Sequence, residues 1–279
     1  MNHMQPSWGQ KARGYLLMTR PLLGVMAIVS VYIGANGLIS MDVLLAIPAI
    51  FCITAGSMTF NDYFDRDIDQ VAHPDRPVPA GIVQPREALY FSLALFALGV
   101  IFSFLINLWC FALSIFGVAF LVLYETQFKQ QGFLGNIVVA VLCSLAFPYG
   151  GVAVGRPWDA TVFTAIAFFV ILGREILMDT RDMSADVINR VTLPMRIGQQ
   201  TAVRVGSIFA AVTIALTPVP LLLDILSWWS LILFIPADSL LAYSIYRVLK
   251  DVKNVGWTSD MFRIAMVVIL GAFLLGIIT

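Results

Sequence analysis

Three observations predict that this chain is an all-α integral membrane protein. First, 59% of its 279 residues are hydrophobic and only 12% are charged, whereas about a quarter of the residues in soluble domains are charged. Second, about nine runs are apolar over the roughly 20 residues that a helix needs to cross the hydrocarbon core. Third, short connections join these runs, and helices can satisfy their own backbone groups within a bilayer.

The predicted spans follow one another as a single polytopic domain over 1–279. They lie near 15–39, 42–60, 86–106, 108–126, 134–154, 160–178, 201–222, 225–247 and 260–279. If the N-terminus is cytoplasmic, every basic residue except Arg156 falls on the inner side, as the positive-inside rule requires. We therefore expect a multi-pass protein in the lipid bilayer with a cytoplasmic N-terminus. The 17 basic and 17 acidic residues cancel, so net charge indicates no nucleic-acid partner.

Aspartates recur at i, i+3 and i+7 in two polar connections, roughly 61–85 and 179–200. The two sets are Asp62, Asp65, Asp69 and Asp179, Asp182, Asp186. On one helix, residues at this spacing lie within about 60° of one another, so each set aims at one point. Asp67 would lie about 140° round the helix from Asp62 and is left out of the site.

The repeated spacing also predicts that the chain has two related halves, roughly 10–130 and 131–279. Two related halves facing each other would bring both aspartate segments to one cavity. The positive-inside pattern places both segments on the cytoplasmic face. Both segments are therefore expected on the cytoplasmic side of that cavity.

Carboxylates clustered at a membrane edge repel one another unless they are hydrated, paired or bound to cations. Oxygen ligands without histidine or thiolate suit Mg²⁺, which is usually held by one or two carboxylates, waters and a substrate phosphate. The sequence therefore predicts a magnesium site for a phosphate ester, in which Asn61 orients a ligand carboxylate or water. Arg76, Lys129 and Arg190 lie near these segments and are expected to contact phosphate oxygens.

Several motifs carry a family resemblance. They are Asn61-Asp62-x-x-Asp65-x-x-x-Asp69, the segment 74–81, Tyr124 through Lys129 followed by Gly135-Asn136, Arg174-Glu175-Ile176 leading into Asp179 and Asp182, and Arg20-Pro21. This set resembles the UbiA superfamily of membrane prenyltransferases. The resemblance implies nine transmembrane helices around a central cavity that opens sideways to lipid, with the two aspartate-rich connections forming a cytoplasmic cap over it. It also implies transfer of an isoprenoid chain from its diphosphate to an acceptor, with Mg²⁺. It also implies substrate-binding roles for Tyr124, Asn136 and Arg20. Val191 departs from the pattern, because many members carry a basic residue there.

The expected function is Mg²⁺-dependent transfer of an isoprenoid chain from a prenyl diphosphate to a small lipophilic or aromatic acceptor, with release of pyrophosphate. A terpene cyclase of the same superfamily is the alternative, and a divalent-cation transporter is the less favoured one. Glu175 is left open between a structural pairing and catalysis. Asp238, which lies in the eighth predicted span, is not assigned a role.

Overall fold

The structure, a computed structural model, describes residues 6–183 and 191–279. Every regular element within these residues is helical, as the sequence predicts. The α-helices are α1 (Trp8–Met18), α2 (Pro21–Gly34), α3 (Met41–Phe64), α4 (Arg66–Ala72), α5 (Pro85–Ile106), α6 (Leu108–Leu123), α7 (Phe133–Ser144), α8 (Ala146–Ala153), α9 (Thr161–Arg181), α10 (Leu193–Ile197), α11 (Gln199–Leu216), α12 (Val219–Leu222), α13 (Leu231–Lys250) and α14 (Val255–Ile278). A π-helical turn covers Tyr124–Phe128, and 3₁₀ turns cover Trp228–Ser230 and Val252–Asn254.

The membrane spans agree with the prediction except at the first. In the part of the chain that the structure describes, eight helical segments are long and apolar enough to cross a membrane, and a ninth is present if α1 and α2 form one span. These two helices meet at a 41° bend, where a continuous span was expected. Arg20 at the break has a φ of +44°, and Pro21 disfavours a helical conformation for the residue before it.

Two compact units make up the chain. The first comprises the chain up to Val31 together with Ile39–Leu121, and the second comprises Tyr32–Leu38 and Val122–Thr279. The first aspartate segment therefore belongs to the first unit and the second segment to the second. The relation between the two predicted halves stays a prediction.

In the first unit, α3 and α5 pack at close range along their lengths. A Cβ atom added to Gly99 would lie only 2.6 Å from Ile53 Cγ1 and 2.9 Å from the carbonyl oxygen of Ala49. Small residues allow this close approach between membrane helices. The connection after α4 is anchored separately, because Val78 and Val83 are buried together with Met18 of α1. That anchor fixes the segment that carries Arg76.

In the second unit, α9 lies among α7, α11 and α14. Gly173 of α9 and Gly206 of α11 face each other so closely that a Cβ on either would lie 2.9–3.1 Å from the other's carbonyl oxygen. Near the other end of α9, Phe163 is fully buried, and its ring centroid lies 4.9 Å from that of Phe273 on α14. These contacts hold α9 as the central helix of the unit.

The two long helices that lead to the aspartates continue past the predicted ends of their spans. Helix α3 ends at Phe64 rather than near 60, and α9 ends at Arg181 rather than near 178. The helical hydrogen bonds persist at both ends, since the Asp65 N–H donates to the Asn61 carbonyl at 2.8 Å and the Asp182 N–H to the Met178 carbonyl at 2.9 Å. The polar residues therefore extend the helices, and the first aspartate of each set lies in a last helical turn.

Candidate active site

The first aspartate segment begins with Asp62 in the last turn of α3. Asp62 is only 3% exposed, and its Oδ1 accepts a 2.8 Å hydrogen bond from Arg20 Nη2. Arg20 Nη1 also donates to the sulfur of Met58 at 3.4 Å. Arg20 thus reaches Asp62 from the break between α1 and α2, and the ion pair explains how an arginine is tolerated within this apolar stretch.

Arg76 joins two of the predicted carboxylates. Its Nη1 lies 2.6 Å from Asp69 Oδ2 and 3.9 Å from Asp62 Oδ1. Asp69 is 3% exposed, as Asp62 is. Buried carboxylates require compensation by cations or hydrogen bonds, and here Arg20 and Arg76 supply both. The structure therefore places Asp62 and Asp69 around Arg76, in agreement with their spacing, and it adds ion pairs with Arg20 and Arg76 that the spacing did not predict.

The backbone bends between Asp62 and Asp69, where one helix was expected. Asp65 ends α3 with φ −84° and ψ 1°, and α4 starts at the next residue. The Asp69 N–H still donates to the Asp65 carbonyl at 2.8 Å, so the hydrogen bonding continues through the bend. The Asn61 amide donates to Asp65 Oδ2 at 3.1 Å, which supports its predicted role in orienting a carboxylate.

Asp67 points away from this group, as its spacing predicts. Its side chain is 77% exposed and forms a long ion pair, 3.7 Å, with the neighbouring Arg66. It lies in the first turn of α4, where a carboxylate interacts favourably with the helix dipole. Asp67 is therefore a surface residue and a suitable control for the carboxylates of the site.

The second segment begins with Asp179 in the last turn of α9. Asp179 is 4% exposed, and its Oδ2 accepts a 2.9 Å hydrogen bond from the Asn136 amide of α7. The contact explains why an asparagine is buried in an apolar helix. It connects residues that are 43 positions apart, so sequence spacing alone could not reveal it.

Asp182 ends α9 much as Asp65 ends α3. Its φ of −92° and ψ of 5° are close to those of Asp65. Both of its carboxylate oxygens accept hydrogen bonds from Arg181, at 2.7 and 2.8 Å. The two aspartate segments thus share a buried first aspartate and a helix-ending second one. Asp186 and Arg190, the remaining predicted residues of this segment, lie outside the described residues.

The Tyr124–Phe128 turn is π-helical, a conformation that the residue pattern did not predict. The Lys129 N–H donates to the Tyr124 carbonyl five residues earlier, at 2.8 Å, and Lys129 Nζ lies 2.8 Å from Glu125 Oε2. The Glu125 side chain is only 6% exposed. Single π-helical turns occur often at functional sites, and this one places Lys129 and Glu125 as a pair.

Asp238 lies within α13 and is bonded by Thr217. The Thr217 hydroxyl donates to Asp238 Oδ2 at 2.7 Å. Asp238 Oδ1 is buried and has no hydrogen-bond partner among the residues that the structure describes. The hydrogen bond gives this carboxylate a structural partner that the sequence did not reveal.

The donor set of both segments suits a magnesium ion. In the chain outside 1–5 and 184–190, no three Asp, Glu, His or Cys side chains are grouped closely enough to hold a metal ion on their own. Mg²⁺ is commonly held by one or two carboxylates together with waters and substrate phosphates. Asp62, Asp69 and Asp179 and their neighbours offer carboxylate and amide oxygens as ligand atoms. Such hard oxygen donors fit Mg²⁺.

Fold and site together define a multi-pass integral membrane protein with two aspartate segments at helix ends. The family model described as "UbiA prenyltransferase family" matches residues 23–267. The chain therefore belongs to the UbiA prenyltransferase family, and it is an enzyme of the prenyltransferase class. This confirms the resemblance on which the expected fold and activity rest.

Two curated relatives match the chain over nearly its whole length. The digeranylgeranylglyceryl phosphate synthase of Methanopyrus kandleri is 34% identical over 266 residues, which cover 94% of this chain and 98% of that protein. The protein of the same name from Natronomonas pharaonis is 35% identical over 270 residues, with the same coverage of 94% and 98%.

Solved structures show the same fold. One from work on digeranylgeranylglyceryl phosphate synthase in membranes has a TM-score of 0.81 and 29% identity, and the match covers 96% of this chain and 99% of that one. A UbiA homologue from Archaeoglobus fulgidus, bound to GPP and Mg²⁺, has a TM-score of 0.71 with 18% identity, covering 95% and 100% of the two chains.

Proposed function

We propose that this enzyme transfers a geranylgeranyl chain from geranylgeranyl diphosphate to a glyceryl phosphate that already carries one such chain. The observation that carries this proposal is the 34–35% identity to digeranylgeranylglyceryl phosphate synthases over 94% of the chain. The product in that name has two geranylgeranyl groups on one glyceryl phosphate. The last bond made in such a product is an ether between a glycerol hydroxyl and an isoprenoid carbon.

The reaction replaces one carbon–oxygen bond by another. The bond between C1 of the isoprenoid and the diphosphate breaks, and its electron pair leaves with pyrophosphate. The acceptor hydroxyl oxygen forms the new bond to C1 and releases its proton. Negative charge therefore develops on the departing diphosphate, and stabilising such charge in a preorganised site is usually the largest catalytic contribution.

The six aspartates are proposed to hold Mg²⁺, some of them through water. They are Asp62, Asp65, Asp69, Asp179, Asp182 and Asp186. Bound magnesium would supply positive charge to the diphosphate oxygens as they become a leaving group. That both segments serve one diphosphate from the cytoplasmic side stays a prediction.

Three hydrogen bonds support the carboxylates in this role. Arg76 holds Asp69, Arg20 holds Asp62, and Asn136 holds Asp179, at 2.6, 2.8 and 2.9 Å. Since each donor fixes a carboxylate that is nearly fully buried, the ligand oxygens need no reordering when substrate arrives. The guanidinium groups of Arg20 and Arg76 also match the phosphate oxygens of the substrate, to which they can donate charge-assisted hydrogen bonds.

Further residues are proposed to bind the substrate directly. Lys129 and Arg190 are expected to contact diphosphate oxygens, and Tyr124 to line the site beside Lys129. The hydrogen bond that joins Lys129 to Tyr124 across this turn supports the proposal that both residues lie on the same part of the site. The apolar helices provide the surroundings for the isoprenoid tail.

The proposal is tested with purified protein in detergent, Mg²⁺ and geranylgeranyl diphosphate. Three reactions are compared by mass spectrometry, with geranylgeranylglyceryl phosphate, with an aromatic hydroxy acid, and without acceptor. We expect the digeranylgeranyl ether in the first reaction alone. A prenylated aromatic acid would show that the acceptor is aromatic and not the proposed glyceryl phosphate. A cyclic product formed without acceptor would favour the cyclase alternative.

A further inference from the structure

An ion pair lies deep inside α9 that the proposed diphosphate site does not use. Arg174 Nη1 lies 3.0 Å from Glu175 Oε1, and the two side chains are 15% and 21% exposed. Arg174 lies seven residues before the helix end at Arg181, which corresponds to about 10 Å along the axis. Ionisable residues at such depth in a membrane span are costly and usually functional.

Arg174 has unused hydrogen-bonding capacity. Its Nε atom is buried and has no hydrogen-bond partner in residues 6–183 and 191–279. A buried donor without a partner costs free energy, so a ligand that accepts this hydrogen bond gains affinity. Because the guanidinium presents its donors in a planar fork, an oxyanion such as phosphate matches it well.

The ion pair lies beside the second aspartate segment. Glu175 precedes Asp179 by one helical turn, which places it about 6 Å deeper along the axis and about 40° round the helix. Helix α7 packs along α9, and its Asn136 amide bonds Asp179. Cys143 lies seven residues further along α7, about two turns deeper, and its side chain is exposed. The surface of α7 is therefore accessible deeper in the helices than Asp179.

We propose that Arg174 and Glu175 form the acceptor site of this enzyme, and this inference rests on the function proposed above. Arg174 binds the phosphate of the glyceryl phosphate acceptor, and Glu175 takes the proton of its reacting hydroxyl. The reacting hydroxyl and the phosphate are attached to neighbouring glycerol carbons, so the groups that bind them must also be neighbours. The 3.0 Å pair meets this requirement.

The depth of Glu175 agrees with the chemistry. A diphosphate held at Asp179 places C1 of the isoprenoid just beyond its phosphates, and Glu175 lies about 6 Å further into the helix. The acceptor oxygen bonds to C1 while the C1–O bond to diphosphate breaks, and its proton passes to the Glu175 carboxylate and then to solvent. The acceptor oxygen gains positive charge as its bond to C1 forms, which makes its proton more acidic. The Glu175 carboxylate is therefore basic enough to take that proton even though it is paired with Arg174.

Two substitutions separate the roles. Glu175→Gln is expected to lower kcat about 100-fold, while the KM values of both substrates change little. Arg174→Gln is expected to raise the acceptor KM about tenfold or more, with the KM of geranylgeranyl diphosphate unchanged. Arg174→Lys retains a charge and should recover part of the acceptor affinity. Asp260→Asn, which removes a carboxylate from the exposed ion pair with Arg263, is the control and should match the wild type.

A binding measurement distinguishes the possible failures. Geranylgeranylglyceryl phosphate alone, without Mg²⁺ or diphosphate, should raise the melting temperature of the wild type and of Glu175→Gln but not that of Arg174→Gln. If the wild type makes the ether and both Gln variants keep its kcat and acceptor KM, the acceptor site proposed here is wrong while the proposed function holds. If the wild type neither binds nor converts this acceptor, the proposed function fails and this site with it.

Discussion

The Asn136 amide lies 2.9 Å from Asp179 Oδ2 and joins α7 to the last turn of α9. Both residues are buried, at 5% and 4% exposure. The hydrogen bond orients a carboxylate that is proposed to hold Mg²⁺. Partners of this kind usually affect metal affinity by ten- to a hundredfold.

Asn136→Leu should therefore weaken the apparent affinity for Mg²⁺ by about tenfold or more. The same change leaves a buried carboxylate with one hydrogen bond fewer and should lower the free energy of unfolding by about 1–3 kcal/mol. Activity titrated against Mg²⁺ and thermal denaturation measure the two effects. Ser144→Ala on the same helix, which removes a hydroxyl that donates to the Val141 carbonyl of its own helix, should change neither. Equal Mg²⁺ dependence in Asn136→Leu and wild type would mean that Asn136 does not support Mg²⁺ binding.

Arg20→Met should destabilise the protein more in the absence of Mg²⁺ than in its presence. Removing the guanidinium leaves Asp62 with the more distant Arg76, at 3.9 Å, as its cation among the residues that the structure describes, and breaking a buried ion pair costs about 3 kcal/mol or more. A bound divalent cation would restore part of that compensation. The measurement is the melting temperature with and without Mg²⁺. Arg13→Met changes an exposed arginine of α1 and should show no such difference, and a Mg²⁺ effect of equal size in both variants would contradict the prediction.

Asp65→Ala and Asp182→Ala should each abolish Mg²⁺-dependent turnover while the protein stays folded in detergent. Both residues end a long helix and neither is deeply buried, so the fold does not depend on them. Pyrophosphate release and gel filtration test the two statements. Asp67→Ala, at a side chain that is 77% exposed, is the matched control and should keep wild-type turnover. Full activity in either site variant would mean that the substituted aspartate is not needed for turnover.

Gly173→Ala should destabilise the second unit, because the new Cβ would lie 2.9 Å from the Gly206 carbonyl oxygen of α11. Overpacking of this kind costs about 1–3 kcal/mol. Gly117→Ala in α6 is the control, since a Cβ there meets nothing within 4 Å and alanine is the better helix former. Thermal unfolding in detergent compares the two. Equal stability of Gly173→Ala and wild type would mean that α9 and α11 are not in close contact.

The membrane spans could be predicted from the sequence, and so could the choice of Asp62 and Asp179 as candidate residues, whose role as metal ligands stays a prediction. Hydropathy predicts the spans because a bilayer requires long apolar helices, and the 3+4 spacing identified Asp62 and Asp179 before any contact was known. The bend at Asp65 and the break at Arg20 were missed, since hydropathy does not report backbone angles. The Asn136–Asp179 and Arg20–Asp62 contacts depend on helix packing between residues 43 and 42 positions apart. The π-helical turn at Tyr124–Phe128 had no signal in the residue pattern.

The most direct test measures how tightly the enzyme binds divalent cations. Mn²⁺, which replaces Mg²⁺ and is detected by electron paramagnetic resonance, is titrated into purified protein with a non-reactive thio analogue of geranylgeranyl diphosphate. We expect Mn²⁺ binding that requires the analogue and that is weakened at least tenfold by Asp62→Asn or by Asp179→Asn, whereas Asp67→Asn should behave as wild type. Unchanged Mn²⁺ binding in both Asp62→Asn and Asp179→Asn would contradict this expectation.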